Sequence, residues 1–319
     1  KINALVNKVL FNKNKAIGIE WIENDEVKTA YSNCEVILCG GSLQSPQILQ
    51  LSGIGPAELL KKHNIPIIFD SPEVGQNLQD HYQVRGIVKL KNNNGSVNNQ
   101  SRNPFKIAEW GLRWLLFGSG PLTCGAGQVG GAACSKFSKN GRPDLQFNVM
   151  PLSVDKPGEP LHNYPGFTAS VWQCHPESRG SLKIKSTDPK EQAEIRPEYL
   201  STKLDQDVIV DGIKMIRSIF NQPSFRDLWE KEMLPGDSVK SDEEILHWAK
   251  HNGGTVFHAV GTCRMGNDNK SVVDEELNVR GVENLRVIDA SVMPQVTSAN
   301  TNAPSLMIGE KGVSFITKN

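Results

Sequence analysis

Apolar and polar positions alternate through the first thirty or so residues, and polar clusters interrupt them at 12–15 and 23–26. Within Ala16–Trp21 the side chains of Ile17, Ile19 and Trp21 fall on one face. A period of two predicts strands, here a meander over Lys1–Phe11, Ala16–Trp21 and Val27–Tyr31. Cys34–Cys39 reads as a compact apolar strand stopped by Gly40-Gly41. Ser45-Pro46 then offers a cap and a first-turn proline to a helix carrying Ile48, Leu49 and Leu51, ended by Gly53 and Gly55. Ala57–His63 predicts a short helix, and Ile65–Phe69 a strand.

Residues 91–103 are polar and Asn-rich, which predicts a loop. Phe105–Phe117 predicts a helix ended by Gly118. Leu145–Met150, Phe167–Cys174 and Leu182–Ile184 read as strands separated by Pro, Gly and Ser, without regular helices between them. Such a run implies a mainly antiparallel sheet. Asp205–Phe220 is an amphipathic helix with Val208, Ile209, Ile213, Ile216 and Ile219 on its apolar side. Asp242–His251 is a second helix.

The last sixty residues carry the candidate chemistry. Leu285–Ile288 reads as a buried strand that stops at Asp289-Ala290-Ser291. A carboxylate at a strand end sits where open α/β sheets bind ligands. The segment Ser298–Pro304 leads into Leu306-Met307-Ile308, with Pro304 suited to a first helical turn. A helix N-terminus presents free N–H groups and a positive dipole end. His258, in a Gly-punctuated segment, adds a titratable imidazole, and Asn300 an amide donor. A lone histidine in such a segment is more often a hydrogen-bonded core residue, and a plain turn residue is the alternative reading of the asparagine. His81, after Asp80, reads as structural.

Composition narrows the classes. A chain of 319 residues can fill two domains. With 35 basic and 35 acidic residues it gives no support to nucleic acid or an anionic membrane as partner. No apolar run is long enough to span a bilayer. Six scattered cysteines predict mostly buried free thiols, with room for one or two disulfides; neither C-x-x-C nor zinc-finger spacing occurs. Sequons at Asn94, Asn99 and Asn269 lean toward a secretory route. Gly125–Gly130 matches G-x-G-x-x-G, but glycines and Pro121 interrupt what precedes it, so a dinucleotide fingerprint is not expected. His247 and His251 sit at i, i+4, a spacing that can hold zinc. Without a glutamate after the first, two surface histidines beside a buried Trp248 is the preferred reading, and no metal site is expected.

The longer motifs carry a resemblance. HAVGTCRMG at His258–Gly266, LRVIDAS at Leu285–Ser291 and SANTNAP at Ser298–Pro304 resemble the C-terminal signature of the glucose–methanol–choline (GMC) flavin oxidoreductases. GGSLQSPQILQLSGIGP at Gly40–Pro56 and VGQNLQDH at Val74–His81 are similar to two further motifs of that family, in the same order. The resemblance implies an α/β fold: part of a Rossmann-like FAD-binding domain over residues 1–85 and 251–319, and an α+β substrate domain with a mainly antiparallel sheet over 86–250. It implies FAD as cofactor, and oxidation of an alcohol or sugar hydroxyl by hydride transfer to flavin N5. His258 is then the general base and Asn300 the partner that holds the substrate oxygen. Asp289 and Ala290 match the cofactor-contacting turn, Asn302 and Pro304 the helix end facing the isoalloxazine, and Val6 a position near the adenine.

The family's N-terminal phosphate loop has no credible copy here. The chain is therefore expected to be the C-terminal portion of a longer protein, with the missing N-terminal portion as its partner. A quinone or oxygen is the expected electron acceptor. HPESRGSLKIKSTDP at His175–Pro189 looks most like the arthropod glucose dehydrogenase branch, which points to an extracellular dehydrogenase. Three alternatives stay open: a hydroxynitrile-lyase-like use of the flavin fold, a catalytically incompetent fragment or binding module, and a zinc hydrolase.

Overall fold

The computed structural model describes residues 1–92, 95–155 and 158–317. Residues 1–81 contain β1 (Leu5–Asn12), β2 (Lys15–Glu23), β3 (Glu26–Tyr31), β4 (Val36–Leu38), α1 (Gly41–Leu51), β5 (Ile54–Gly55), α2 (Ala57–Lys62) and β6 (Phe69–Asp70). Then come β7 (Tyr82–Leu90), α3 (Val97–Gln100), α4 (Pro104–Phe117), β8 (Val129–Ala133), β9 (Leu145–Met150) and β10 (Gly166–Gln173). The hairpin β11 (Ser181–Lys183) and β12 (Glu194–Arg196) follows. Next are α5 (Lys203–Phe220), α6 (Pro223–Arg226), β13 (Trp229–Leu234), α7 (Asp242–Asn252) and β14 (Gly254–Thr255). The chain ends with β15 (Leu285–Val287) and α8 (Asn302–Ile316).

Two compact units share these elements. The first comprises residues 1–81, 175–201 and 257–319; the second comprises 82–174 and 202–256. Residues 175–201, read above as part of the middle domain, pack in the first unit. There the side-chain amide of Gln50 donates to Leu182 O and its oxygen accepts from Ile184 N, while Leu182 N donates to Gly75 O.

In the first unit β1, β2 and β3 form the expected antiparallel meander. The buried positions of β2 are Ala16 and Gly18, so its smaller residues face inward and Ile17, Ile19 and Trp21 are half-buried. β4 and β15 pair in parallel, Val36 opposite Leu285 and Leu38 opposite Val287. The predicted strand over Ile65–Phe69 is reduced to β6, which pairs with β5 in parallel. One apolar core joins Val9 of β1, Leu38 of β4, Leu49 of α1, Val287 of β15, Ile308 of α8 and Val260.

In the second unit β13, β7, β10, β9 and β8 form one antiparallel sheet in that order, with β14 also on β7. α5 covers it: a Cβ at Gly212 would lie 3.1 Å from Val171 Cγ2, and one at Gly86 only 2.6 Å from Ile216 Cγ2. Val208, Ile209, Ile213 and Ile216 are buried as expected, but Ile219 is 45% exposed and Phe220 takes the inward place. Ile213 is fully buried. Ile213→Ala is therefore expected to cost about 2–5 kcal/mol, read as a lower urea midpoint; an unchanged midpoint would contradict this packing.

Several other expectations meet the structure here. Gly125–Gly130 runs into strand β8 rather than a helix, so its spacing is not a dinucleotide loop. In α7, His247 and His251 are exposed, with rings 4.5 Å apart, and Trp248 is half-buried while Ile245 and Ala249 face inward. Among the described residues no three His, Cys, Asp or Glu side chains are grouped to hold a metal. All six cysteines are free; Cys34, Cys39, Cys124 and Cys134 are exposed, and only Cys174 and Cys263 are buried. Residues 97–100 within the predicted loop form α3, because Ser96 caps it and Asn98 is fully buried. Asn99 lies in that helix, Asn269 is exposed, and the Asn94 sequon falls outside the described residues. α4 starts at Pro104 behind an Asn103 cap and ends at a left-handed Gly118, as the sequence predicts, yet of its side chains only Trp110 is buried. No described helix is long and apolar enough to cross a membrane.

Candidate active site

The site grows from the C-terminal ends of the parallel pair β4 and β15. Asp289, just past β15, accepts through Oδ2 from Gly41 N at 2.9 Å and Ser45 Oγ at 2.6 Å, and through Oδ1 from Ser291 N at 2.8 Å. Gly41 has φ of 74°, a left-handed conformation that glycine adopts without strain. α1 begins there rather than at Ser45, so Pro46 lies inside the helix and not in its first turn. Pro46 has no N–H for Ser42 O, four residues earlier. The hydroxyl of Thr262 supplies the missing donor at 2.7 Å, and Ser42 Oγ donates to Ala259 O at 2.7 Å. A proline gap in one helix thus anchors the segment that carries His258.

That segment is tightly constrained. Gly261 has φ of 93°, and a Cβ there would lie 2.5 Å from Asn77 O. Phe257, next to His258, also takes a positive φ of 64°, a conformation that costs a non-glycine residue energy and clusters at functional sites. On the other side Gln79 exchanges backbone hydrogen bonds with Val260, donates through Nε2 to Pro294 O at 3.0 Å, and accepts from Val296 N at 3.2 Å. Gln79 therefore fixes both limbs, the one that leads to His258 through its backbone and the one that leads to Asn300 through its side chain.

His258 is 7% exposed. Its Nε2 lies 3.1 Å from Asn300 Nδ2, and its Nδ1 lies 2.9 Å from Nδ1 of the fully buried His81. An amide nitrogen only donates, so Nε2 of His258 is the lone-pair nitrogen and its proton sits on Nδ1. His81 then accepts at Nδ1 and fixes that tautomer. The two rings meet edge to face at 83°. Burial holds the imidazole pKa below its ordinary value, against an opposing pull from Asp80. The neutral, proton-accepting form is thereby favoured at neutral pH.

Asp80 lies behind this pair. Its Oδ1 accepts from His81 N at 2.8 Å and from His258 N at 2.9 Å, and its Oδ2 accepts from Tyr199 OH at 2.5 Å.

The structure brings His258 and Asn300 together. It places Asp289 and half-buried Ala290 at the turn after β15, and Asn302 and Pro304 in the first turn of α8. Thr301 gives α8 no side-chain cap, so its side chain leaves the first N–H groups of that helix uncovered just beyond Asn300. Val6 lies in β1 opposite Trp21, packed against the core of the first unit. His81, Asp80 and Tyr199 are the members that the sequence reading did not assign to the site. The only signal was the position of Asp80-His81 at the end of a motif, since 177 residues separate the two paired imidazoles.

Comparison with known proteins agrees with this architecture. GMC oxidoreductase family models match residues 2–83 and 176–309. An alcohol dehydrogenase [acceptor] of Pseudomonas putida is 38% identical over 99% of the chain. An oxygen-dependent choline dehydrogenase of Escherichia coli is 35% identical, also over 99%. The chain covers 57% and 56% of these two proteins. Among solved structures, an FAD-dependent oxidoreductase of Chaetomium thermophilum superposes with a TM-score of 0.88 at 27% identity, over 99% of this chain and 61% of that one. The fold, the motifs and their spatial arrangement agree: this chain belongs to the GMC oxidoreductase family.

Proposed function

We propose that the protein of which this chain forms part is an FAD-dependent oxidoreductase of alcohols, with His258 as general base. The observation that carries this reading is the lone-pair Nε2 of the buried His258, held 3.1 Å from the Asn300 amide just before α8. An imidazole in that state can take the hydroxyl proton of an alcohol as the carbonyl forms. Asn300 Nδ2 can donate to the same oxygen and hold it against the base. To do so the alcohol oxygen takes the place of the Asn300–His258 contact.

FAD fits the residues present. The open N–H groups at Asn302 and Ala303 suit an electron-rich ring edge, and Leu306 and Met307 of the same helix are 65% and 59% exposed, an apolar surface that a flat ring can cover. Asn302, Pro304 and the turn at Asp289 and Ala290 would hold it. Bound FAD would supply the acceptor for the hydride. The chain's own work is to position the alcohol, accept its proton and shield the base from water. Further chain that lies in the relatives outside the matched part would complete the cofactor site.

The test is the visible spectrum of the full-length protein under anaerobic conditions, before and after addition of aliphatic alcohols, choline and sugars. A flavin band that bleaches with one of them supports the reading and names the substrate class. A band stable to all of them overturns it in favour of a lyase. The 175–189 stretch and the exposed Asn269 support a secreted, sugar-oxidising version of the same chemistry, so glucose belongs in the panel, with a quinone and oxygen compared as acceptors.

A further inference from the structure

We propose that Asp80, tethered by Tyr199, positions His258 and supplies the fixed negative charge against which its imidazolium forms. This rests on the base role of His258 argued above. When the imidazole takes a proton it becomes a cation in a nearly water-free place. Burial disfavours that cation, and a nearby carboxylate offsets the penalty. Asp80 and His81 are the titratable groups brought to the imidazole by the 79–81 loop; the loop before α8 brings Asn300, which is uncharged.

Asp80 does not use the ring nitrogens of His258, which face His81 and Asn300. It holds the residue by its backbone N–H instead, and acts on the ring through its field. The carboxylate is itself fixed from three sides: the N–H groups of His81 and His258 meet one oxygen, and the phenol of Tyr199 meets the other. Tyr199 comes from the 175–201 segment, so that segment is tied to Asp80 as well as to Gln50 and Gly75.

The test compares Asp80→Asn and Tyr199→Phe in the full-length holoenzyme. Asparagine retains an oxygen for both backbone N–H groups but removes the charge. Without the carboxylate the imidazolium loses its support, so the His258 pKa falls. The base acts when neutral, so the rising limb of the kcat/KM–pH profile moves to lower pH, by about one unit. A weaker base also lowers the plateau severalfold. Tyr199→Phe keeps the charge and loosens the tether, so its plateau falls while the limb stays in place. An Asp80→Asn profile that drops without moving its limb, together with a His258 titration that also stays in place, overturns the proposal and leaves Asp80 as a loop staple.

A second readout needs no turnover. The His258 ring resonance, titrated by NMR in the same holoenzymes, moves by the same amount in Asp80→Asn. If that resonance moves and the kinetic limb does not, Asp80 acts as proposed and the base assignment of His258 fails. If neither moves, the charge role of Asp80 fails.

Discussion

His258→Ala in the full-length holoenzyme is expected to lower kcat for the proposed alcohol oxidation by roughly 10²–10⁴-fold, the range for loss of one positioned proton acceptor. FAD content stays close to that of the parent, because the imidazole contacts His81 and Asn300 rather than the Asp289 turn or the first turn of α8. Residual turnover persists, since orientation and the hydride acceptor remain. The rising limb of the pH profile disappears with the base, and added imidazole restores part of the rate near neutral pH. A variant with parental kcat would remove His258 from the mechanism, and one that loses FAD and activity together would make it a structural residue.

Asp289→Ala is expected to lower stability and cofactor retention together. Three donors from two distant parts of the chain converge on this carboxylate: Gly41 N, Ser45 Oγ and Ser291 N. Removing one partner leaves the others to find water or stay unpaired, at about 1–3 kcal/mol each when buried. Asp289 is half-buried, so a total of about 3 kcal/mol is expected, read as a lower urea midpoint. FAD retention falls with it, because the same turn shapes the strand ends where the cofactor would sit. Asp289→Asn keeps an acceptor and loses less of both. An unchanged midpoint in Asp289→Ala would mean that the three contacts do not hold the turn.

What the sequence made legible follows from how local each signal is. The meander, the Phe105–Phe117 helix, the antiparallel strands and the strand ending at Asp289 all rest on periodicity and end signals within a few residues, and the structure contains them. The start of α1 was misplaced because Ser45-Pro46 has the chemistry of a helix start. What overrides it is remote: Asp289 takes the Ser45 hydroxyl, and Thr262 satisfies the carbonyl that Pro46 cannot. Ile219 was assigned inward because the helical period fits it, while the neighbouring Phe220 fills the space. His258 and Asn300 were legible only through long motifs. Their geometry depends on Gln79 and His81, whose partners lie some two hundred residues away, and nothing local to Asp80 announces Tyr199.

The interrupted path of the first unit has a consequence for how the chain comes to be folded. Three separate stretches build that unit, and Gly41 must wait for Asp289, 248 positions later, before its turn can close. During synthesis the meander and α1 leave the ribosome long before β15 and α8 exist to cover them. The second unit draws on no residue beyond 256, so it can fold before the first is complete. Closing such distant pairs is slow, because loop entropy is lost before the contacts reward it. Until then Leu38, Leu49 and Val9 stand open to other chains, a state that invites aggregation and makes a chaperone useful. A stop codon directly after the second unit, before His258, would therefore do more than remove α8. It would leave a well-formed sheet attached to a half-built core that holds His81 but nothing to pair with it.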